Sequence, residues 1–265
     1  MTDLLQLTDY QLLTHPEQEA LCQEILAEVA AGKFKPAGES SRAHWQDVWT
    51  NPGFLPPYIK QGQVLRVNGS LVWPHDAWLE LKWYVRFRET LLKTYFHEVP
   101  AIWEFGCGNG WNLRAARQLY PAKKLVGLDW AMPALGKMPY GPDYRQFDFF
   151  KPDYNVKLPA GTGVWTVGAL EQTGTRWEPF LEYLLANKPA VCVHVEPIVE
   201  WYDPKNLVDA TAIAYHRVRH YWEGFPHWLW QMVAQGHVNI LEQQRSYFGS
   251  RYLEGYSLNV WRPSH

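Results

Sequence analysis

The feature that most constrains the fold is a run of alternating glycines between a strand pattern and a helix pattern. An apolar stretch with a single acid ends at residue 105, then Gly106, Gly108 and Gly110 alternate with other residues, and a helix pattern covers residues 111–119. Glycine permits positive φ and lets the backbone approach a ligand, because it has no Cβ. The helix that follows directs its free N–H groups toward the same point. This stretch therefore predicts a ligand-binding turn.

The spacing of the glycines distinguishes two kinds of cofactor site. The dinucleotide fingerprint G-x-G-x-x-G/A requires a small residue at its sixth position, where Trp111 stands in this chain. The run Glu104-x-Gly106-x-Gly108-x-Gly110 instead resembles the first motif of class I S-adenosylmethionine (SAM)-dependent methyltransferases, in which an acidic residue precedes G-x-G-x-G. SAM has no phosphate, and its ammonium and sulfonium groups favour an acidic neighbour. The resemblance implies SAM as the cofactor.

Three later stretches follow in the order found in that family. A second strand pattern ends at Asp129, a third over residues 144–150 carries Asp148 and Phe149, and residues 163–172 resemble the fourth strand and its loop. The resemblance implies that Asp129 binds the ribose hydroxyls and that Asp148 and Phe149 face the adenine. The implied cofactor contacts are Glu104, Phe105, Gly106, Cys107, Gly108, Gly110, Asn112, Asp129, Trp130, Asp148, Phe149, Ala169 and Leu170.

Alternating helix and strand patterns continue along the chain and predict an α/β fold. The later elements are predicted at 177–187, 207–221 and 226–235 for helices, and at 190–197, 239–248 and 256–261 for strands. A short link between the last two strands favours an antiparallel hairpin. The predicted architecture, over residues 99–265, is a Rossmann-like class I methyltransferase core. Its seven-stranded sheet is mostly parallel, with an antiparallel last strand.

Residues 1–98 carry no motif of that family and are predicted to form a mostly helical cap or lid. Apolar spacing over residues 8–31 predicts a pair of helices, and an Asn-Gly turn predicts a hairpin over residues 64–72. The segment 32–61 is a long loop pattern rich in Gly, Pro and aromatic residues, Trp45 among them. Because long loops in compact domains are usually functional, we expect this one to cover a site.

Composition indicates a soluble globular protein. The chain has 265 residues, 47% of them hydrophobic, and its net charge of −2 provides no overall basic surface for nucleic acid. A signal-peptide pattern and an apolar run of about 18 residues are both absent, so no membrane association is expected. Cys22, Cys107 and Cys192 lack C-x-x-C spacing, which disfavours disulfides and structural zinc. We expect a cytoplasmic protein without a metal, and leave its oligomeric state open.

Four side chains are predicted near the transferred methyl group, because the carboxyl ends of parallel strands meet at one edge of the sheet. Glu171 follows the fourth strand, His194 and Glu196 lie at the end of the fifth, and His216 lies on the next helix. An alcohol loses its proton as it attacks a methyl group, so a base within hydrogen-bond reach promotes the reaction. We choose His194 as the first candidate for this base. A purely structural hydrogen bond is the alternative for each of the four.

A small molecule is the expected partner, and the predicted methyl acceptor is a hydroxyl of a sugar or secondary metabolite. The Asn/Asp-Pro-Pro-aromatic motif of methyltransferases that act on bases or amides is replaced by Ala-Leu-Glu-Gln at 169–172. That loop, the Glu-Pro pair at 196–197 and residues 256–263 resemble bacterial sugar O-methyltransferases. The 15 Trp, 15 Tyr and 11 Phe residues agree with stacking on a sugar ring. Two alternatives stay open: N-methylation of a small amine or peptide, and a module that binds SAM or S-adenosylhomocysteine (SAH) without catalysis.

Overall fold

The computed structural model describes residues 9–50, 55–131 and 143–264. Its strands are β1 Tyr10–Leu12, β2 Leu65–Val67, β3 Ser70–Pro74, β4 Ala101–Phe105, β5 Lys124–Asp129, β6 Asp143–Gln146, β7 Gly163–Val167, β8 Val191–Val195, β9 Val238–Gln244, β10 Phe248–Ser250 and β11 Leu258–Pro263. Its α-helices are α1 His15–Ala30, α2 Arg42–Thr50, α3 Leu79–Tyr95, α4 Trp111–Leu119, α5 Glu178–Asn187, α6 Leu207–Val218 and α7 Phe225–Ala234. None of the helices within these ranges is long and apolar enough to cross a membrane.

The larger sheet confirms the predicted fold class. In the described part of the chain it has seven strands in the order β6-β5-β4-β7-β8-β11-β9. The strands from β6 to β8 pair in parallel, whereas β11 is antiparallel to both of its neighbours. The chain runs outward from β4 to β5 and β6 on one side, then returns to β7 and β8 on the other. Ligands of open α/β sheets bind at the carboxyl ends of the strands where the order reverses, which here lies between β4 and β7.

Apolar layers cover both faces of this sheet. Successive side chains along a strand point to opposite faces of the sheet. Ile102 of β4 therefore packs on the sheet face covered by α3, whereas Trp103 packs on the face covered by α5 and α7. Helix α3 contributes Trp83 and Phe87 to the first layer, and α5 contributes Phe180 to the second. Burial of one such Phe side chain stabilises the fold by about 1.5–3 kcal/mol. The two layers hold in place the strand ends around which the candidate site forms.

A smaller, four-stranded sheet joins early and late parts of the described chain in the order β1-β3-β2-β10. It contains the hairpin predicted for residues 64–72, and its fourth strand, β10, lies in the link between β9 and β11 and pairs with β2. The buried guanidinium of Arg66 donates to the Val208 carbonyl oxygen at 2.6 Å and to Thr211 Oγ1 at 2.7 Å. Residues on both sides of position 98 therefore share one sheet. The division of the chain at that position stays a prediction.

The prediction of two helices over residues 8–31 is wrong. A single helix, α1, begins after Thr14, whose backbone N–H donates to the Glu17 carboxylate at 2.7 Å and forms half of a capping box. The residues before it form β1, because pairing with β3 satisfies their backbone groups. The segment 32–61, predicted as a loop, contains helix α2.

Candidate functional site

The glycine loop turns at the carboxyl end of β4, where the strand order reverses. Gly106 and Gly108 have φ angles of 72° and 49°, in the left-handed region that favours glycine. The N–H groups of Gly106 and Cys107 donate to the carbonyl oxygen of Leu128 at 2.7 and 3.1 Å. Gly110 then precedes helix α4 as its N-cap. The loop is thereby tied to β5, and its backbone forms one wall of a cleft.

Glycine is required in this loop for a second reason besides its positive φ: neighbouring side chains lie so close to the backbone that a Cβ has no room. A Cβ at position 106 would lie 2.3 Å from the Cβ of Ala169 and 3.6 Å from the ring of Phe149. A Cβ at position 108 would lie 2.5 Å from the ring of Trp49. The glycine loop, the loop after β7 and the segment after β6 therefore meet at one point, as the sequence predicts.

Glu104 places a buried carboxylate at the base of this loop. The residue is 2% exposed, and its Oε1 accepts from Asn112 Nδ2 at 2.7 Å. The Asn112 carbonyl oxygen in turn accepts from the Tyr84 hydroxyl at 2.8 Å. No group among the described residues hydrogen-bonds to Glu104 Oε2. Burial, with a contribution from Asp129, raises the pKa of Glu104 to about 8. A buried carboxylate oxygen without a partner favours a cationic ligand.

Asp129 and a group of aromatic rings line a cleft of about 510 Å³, which we call the glycine-loop cleft. Asp129 Oδ2 accepts the N–H of Gly108 and Oδ1 accepts the N–H of Ala131, both at 2.9 Å. Burial raises the pKa of Asp129, while these N–H groups favour its ionised form. The aromatic lining is Trp45, Trp49, Trp130, Phe149 and Phe150. Apolar walls with a few fixed polar groups are typical of small-molecule sites.

Helix α2 covers the glycine loop with two indole rings. The rings of Trp45 and Trp49 are nearly parallel, with centroids 6.3 Å apart, and both line the cleft and the space directly above the loop. Arg42, at the start of the helix, lies 3.5 Å from the carboxylate of Asp148. The sequence predicts that this segment covers a site, but neither ring is among the predicted cofactor contacts. Their spacing of four residues, which places both on one helix face, is the signal that could have identified them.

Two predicted cofactor side chains face the protein interior instead of the cleft. Phe105 lies in the apolar layer, with its ring centroid 4.9 Å from that of Phe147 and 5.0 Å from that of Phe180. Leu170 is fully buried in the same layer. For Phe105 the reason is strand alternation, which turns its side chain away from the face used by Glu104. The side chains of Phe105 and Leu170 therefore do not line the cleft, and cofactor contacts from these two residues stay a prediction.

Of the remaining predicted cofactor residues, two lie outside the cleft, and the others line it or the space above the loop. The carboxylate of Asp148 forms an ion pair with Arg42, and its Oδ1 also accepts the N–H of Phe150 at 2.9 Å. Gly110 is the N-cap residue of α4. Neither of these two lines the described cleft, so a direct contact from them stays a prediction. The others line the cleft or the space above the loop: Glu104, Gly106, Cys107, Gly108, Asn112, Asp129, Trp130, Phe149 and Ala169.

A second cavity of about 550 Å³ adjoins the cleft, and we call it the tyrosine cavity. Gly168, in the turn after β7, lines both spaces and marks the place where they meet. The polar walls of the cavity are Tyr58, Tyr215, Tyr221, Tyr256, Glu80 and Glu171. Molecules bound in the cleft and in the cavity would therefore be neighbours at Gly168.

Solved structures of methyltransferases are similar to this chain at low sequence identity. Human N-acetylserotonin methyltransferase is 17% identical, with a TM-score of 0.48 over 71% of this chain, which spans only 54% of that protein. The plantazolicin methyltransferase BpumL is 14% identical, with a TM-score of 0.48 over 68% of this chain and 81% of its own. The dimethyltransferase RosA from Streptomyces davawensis is 14% identical, with a TM-score of 0.47 over 69% of this chain and 55% of its own. No family model matches the sequence, and no curated protein matches it.

His194, predicted as the base, is buried among aromatic side chains, and its catalytic role stays a prediction. Its imidazole is fully buried, with Nδ1 2.9 Å from Thr166 Oγ1, and packs against the rings of Phe225 and Trp261. Burial lowers its pKa to about 3, so the ring stays neutral in the apolar layer. It lines neither the glycine-loop cleft nor the tyrosine cavity in the described structure.

His216, the next catalytic candidate, also lines neither the glycine-loop cleft nor the tyrosine cavity in the described structure. It is fully buried on α6, and its Nε2 lies 2.7 Å from the carbonyl oxygen of Trp222. Burial lowers its pKa to about 4. Its role in the described structure is to hold the chain segment that follows α6.

Glu196 supports the loop after β7 and does not reach the tyrosine cavity. Its buried carboxylate accepts the N–H groups of Ala169, Leu170 and Glu171 at 3.1–3.2 Å. Burial and the neighbouring Glu171 raise the pKa of Glu196. Of the four predicted catalytic side chains, Glu171 is the one that lines the tyrosine cavity. Its Oε1 accepts from Gln172 Nε2 at 2.8 Å, and burial raises its pKa.

Proposed function

We propose that the protein transfers a methyl group from SAM to a hydroxyl group of a small molecule. The observation that carries the proposal is the junction at Gly168 of a cleft suited to SAM and a polar cavity that contains a carboxylate. Neither space alone would support a transfer reaction. Together they place a cofactor and an acceptor side by side, so that proximity supplies much of the rate.

The residues of the cleft and of the space above the glycine loop fit the parts of SAM. The unpartnered Oε2 of Glu104 is available to the ammonium group, and Asp129 retains lone pairs for the ribose hydroxyls. The rings of Trp130 and Phe149 provide apolar faces for the adenine. Gly106 leaves free the space that a Cβ would fill. When bound, SAM supplies a methyl group activated by its sulfonium.

Glu171 replaces His194 as the base in this proposal. Burial raises the pKa of Glu171 to about 7, so its carboxyl group can take up a proton near neutral pH. Glu171 would accept the proton of a hydroxyl group in the tyrosine cavity as the methyl group moves to its oxygen; the bond from this methyl to sulfur would break, and SAH would be the leaving group. Glu196 fixes the position of this residue through three backbone N–H groups of its loop. A sugar or secondary metabolite of moderate size fits the cavity volume.

Three measurements test the proposal. Calorimetry should show binding of SAM and SAH, and mass spectrometry with a library of sugars and phenols should show products heavier by one methylene. Glu171→Gln should lower turnover by about a hundredfold with unchanged SAH binding, while Glu178→Gln, an exposed change on α5, should leave both unchanged. Binding of SAM without any methylated product would support a non-catalytic module. Failure of both ligands to bind would refute the proposal.

A further inference from the structure

The walls of the tyrosine cavity are acidic and aromatic. Two glutamates, Glu80 from α3 and Glu171 from the loop after β7, face a space surrounded by four phenol rings. No Lys, Arg or His is among the described residues that line it. When these carboxyl groups are ionised the field inside this cavity is negative, and the faces of the phenol rings also attract cations.

Glu80 is buried, and the groups that donate hydrogen bonds to its carboxylate are all neutral. It is 3% exposed, and its oxygens accept from the Tyr256 hydroxyl at 2.9 Å and from Gln63 Nε2 at 2.5 Å, with a further contact from the backbone N–H of Lys60. These donors position the carboxylate without neutralising its charge. Burial accordingly raises the pKa of Glu80 to about 7. A buried carboxylate is costly unless an opposite charge lies close to it.

One basic side chain acts on the pKa of each glutamate without forming a salt bridge to it. Arg219 acts on Glu171, and its guanidinium lies over the Tyr221 ring at 5.1 Å. The charge of Lys60 also acts on Glu80, yet within the described residues no salt bridge to Glu80 or Glu171 is formed. Neither carboxylate therefore has a cation in direct contact among the described residues. A cationic ligand would supply that contact.

We propose that the acceptor carries an ammonium group, and that Glu80 binds this group among the rings of Tyr58 and Tyr256. This inference rests on the proposed function for the assignment of the tyrosine cavity to the acceptor. The hydroxyl group that receives the methyl then lies on the side of Gly168 and Glu171. The acceptor class is an amine with a hydroxyl group, and the ammonium serves for recognition, without being the methylated atom.

Three phenols of similar size test the charge preference: tyramine, 4-ethylphenol and 3-(4-hydroxyphenyl)propionate, which carry a cation, no charge and an anion. Each is titrated by calorimetry into the full chain, with and without saturating SAH. Tyramine should bind at least about tenfold more tightly than 4-ethylphenol, since a charge-assisted contact contributes more than a neutral one. The propionate should bind most weakly.

Variants assign the preference to one side chain. Glu80→Gln, which keeps the shape of the residue, should reduce tyramine affinity to that of 4-ethylphenol and leave SAH affinity unchanged. Glu89→Gln, on the exposed side of the same helix, should retain the full preference. Should Glu80→Gln not fold, Glu80→Asp, which withdraws the carboxylate by one methylene, should weaken the preference at least threefold.

Several outcomes would overturn the inference. These are equal binding of tyramine and 4-ethylphenol, no binding of tyramine, or a preference that persists in Glu80→Gln. Failure of SAH to bind, with a Glu80-dependent preference for tyramine intact, would refute the proposed function and leave the charge inference standing. The two ideas are therefore tested separately.

Discussion

Gly106 and Ala169 approach each other so closely that the cleft depends on a missing Cβ. We predict that Gly106→Ala weakens SAM binding by at least about tenfold, because the new methyl group would lie 2.3 Å from the Ala169 Cβ and would separate the two walls. Calorimetry measures the affinity. Gly69→Ala is the control, since it has a similar φ of 78° but nothing within 4 Å of the new Cβ. Equal losses in both variants would show that backbone strain, and not the shape of the cleft, is responsible.

Glu104 gives SAM binding a predictable pH dependence. Its carboxyl group is neutral below its raised pKa of about 8, and the neutral form lacks the charge that attracts the ammonium and sulfonium. Affinity should therefore rise as pH increases from 6 to 8, approaching tenfold per unit at the low end, and level off above that range. Titrations with SAM across this pH range measure the affinity. Glu104→Gln should bind weakly with little dependence on pH, and a steep dependence in that variant would assign the effect to another group.

At the scale of elements, α2 and the loop after β7 determine the shape of the cleft. We predict that Trp49→Ala weakens SAM binding by about tenfold, because the indole covers the glycine loop and a lost ring contact costs about 1–3 kcal/mol. Quenching of tryptophan fluorescence by SAM should also decrease. Trp230→Ala removes an indole on α7 that is 58% exposed and should change neither. Unchanged or tighter binding by Trp49→Ala would mean that α2 obstructs the ligand.

The loop after β7 shows how an element can change the role of a residue. The sequence places Glu196 at the carboxyl end of a strand, where a catalytic group is expected. The folded chain brings three N–H groups of the loop onto its carboxylate, so Glu196 supports the loop that presents Glu171. The number of hydrogen bonds to a carboxylate depends on the loop conformation, which strand patterns do not determine.

At the scale of the whole molecule, the first 98 residues contribute to the core of the rest. Trp83, Tyr84 and Phe87 of α3 belong to the same apolar layer as Ile102 and Val193 of the main sheet. We predict that a fragment of residues 99–265 shows no cooperative thermal unfolding by circular dichroism, because removal of α3 exposes this layer to water. Co-expression with residues 1–98 should restore the transition. A cooperative transition of the fragment alone would establish residues 99–265 as an independent domain.

The sequence by itself determined the order of strands and helices in the core, because hydrophobic periodicity and glycine spacing are local properties. It also located Glu104, Gly106, Gly108 and Asp129, since each is adjacent to a strand end in a motif of short range. Tertiary structure decided which side chains outside those motifs line the candidate site. The side chains of His194 and Phe105 face inward through strand alternation and packing, and Trp49, Tyr58 and Glu80 reach the candidate site from distant segments. Such contacts depend on how the layers pack, which one-dimensional patterns do not record.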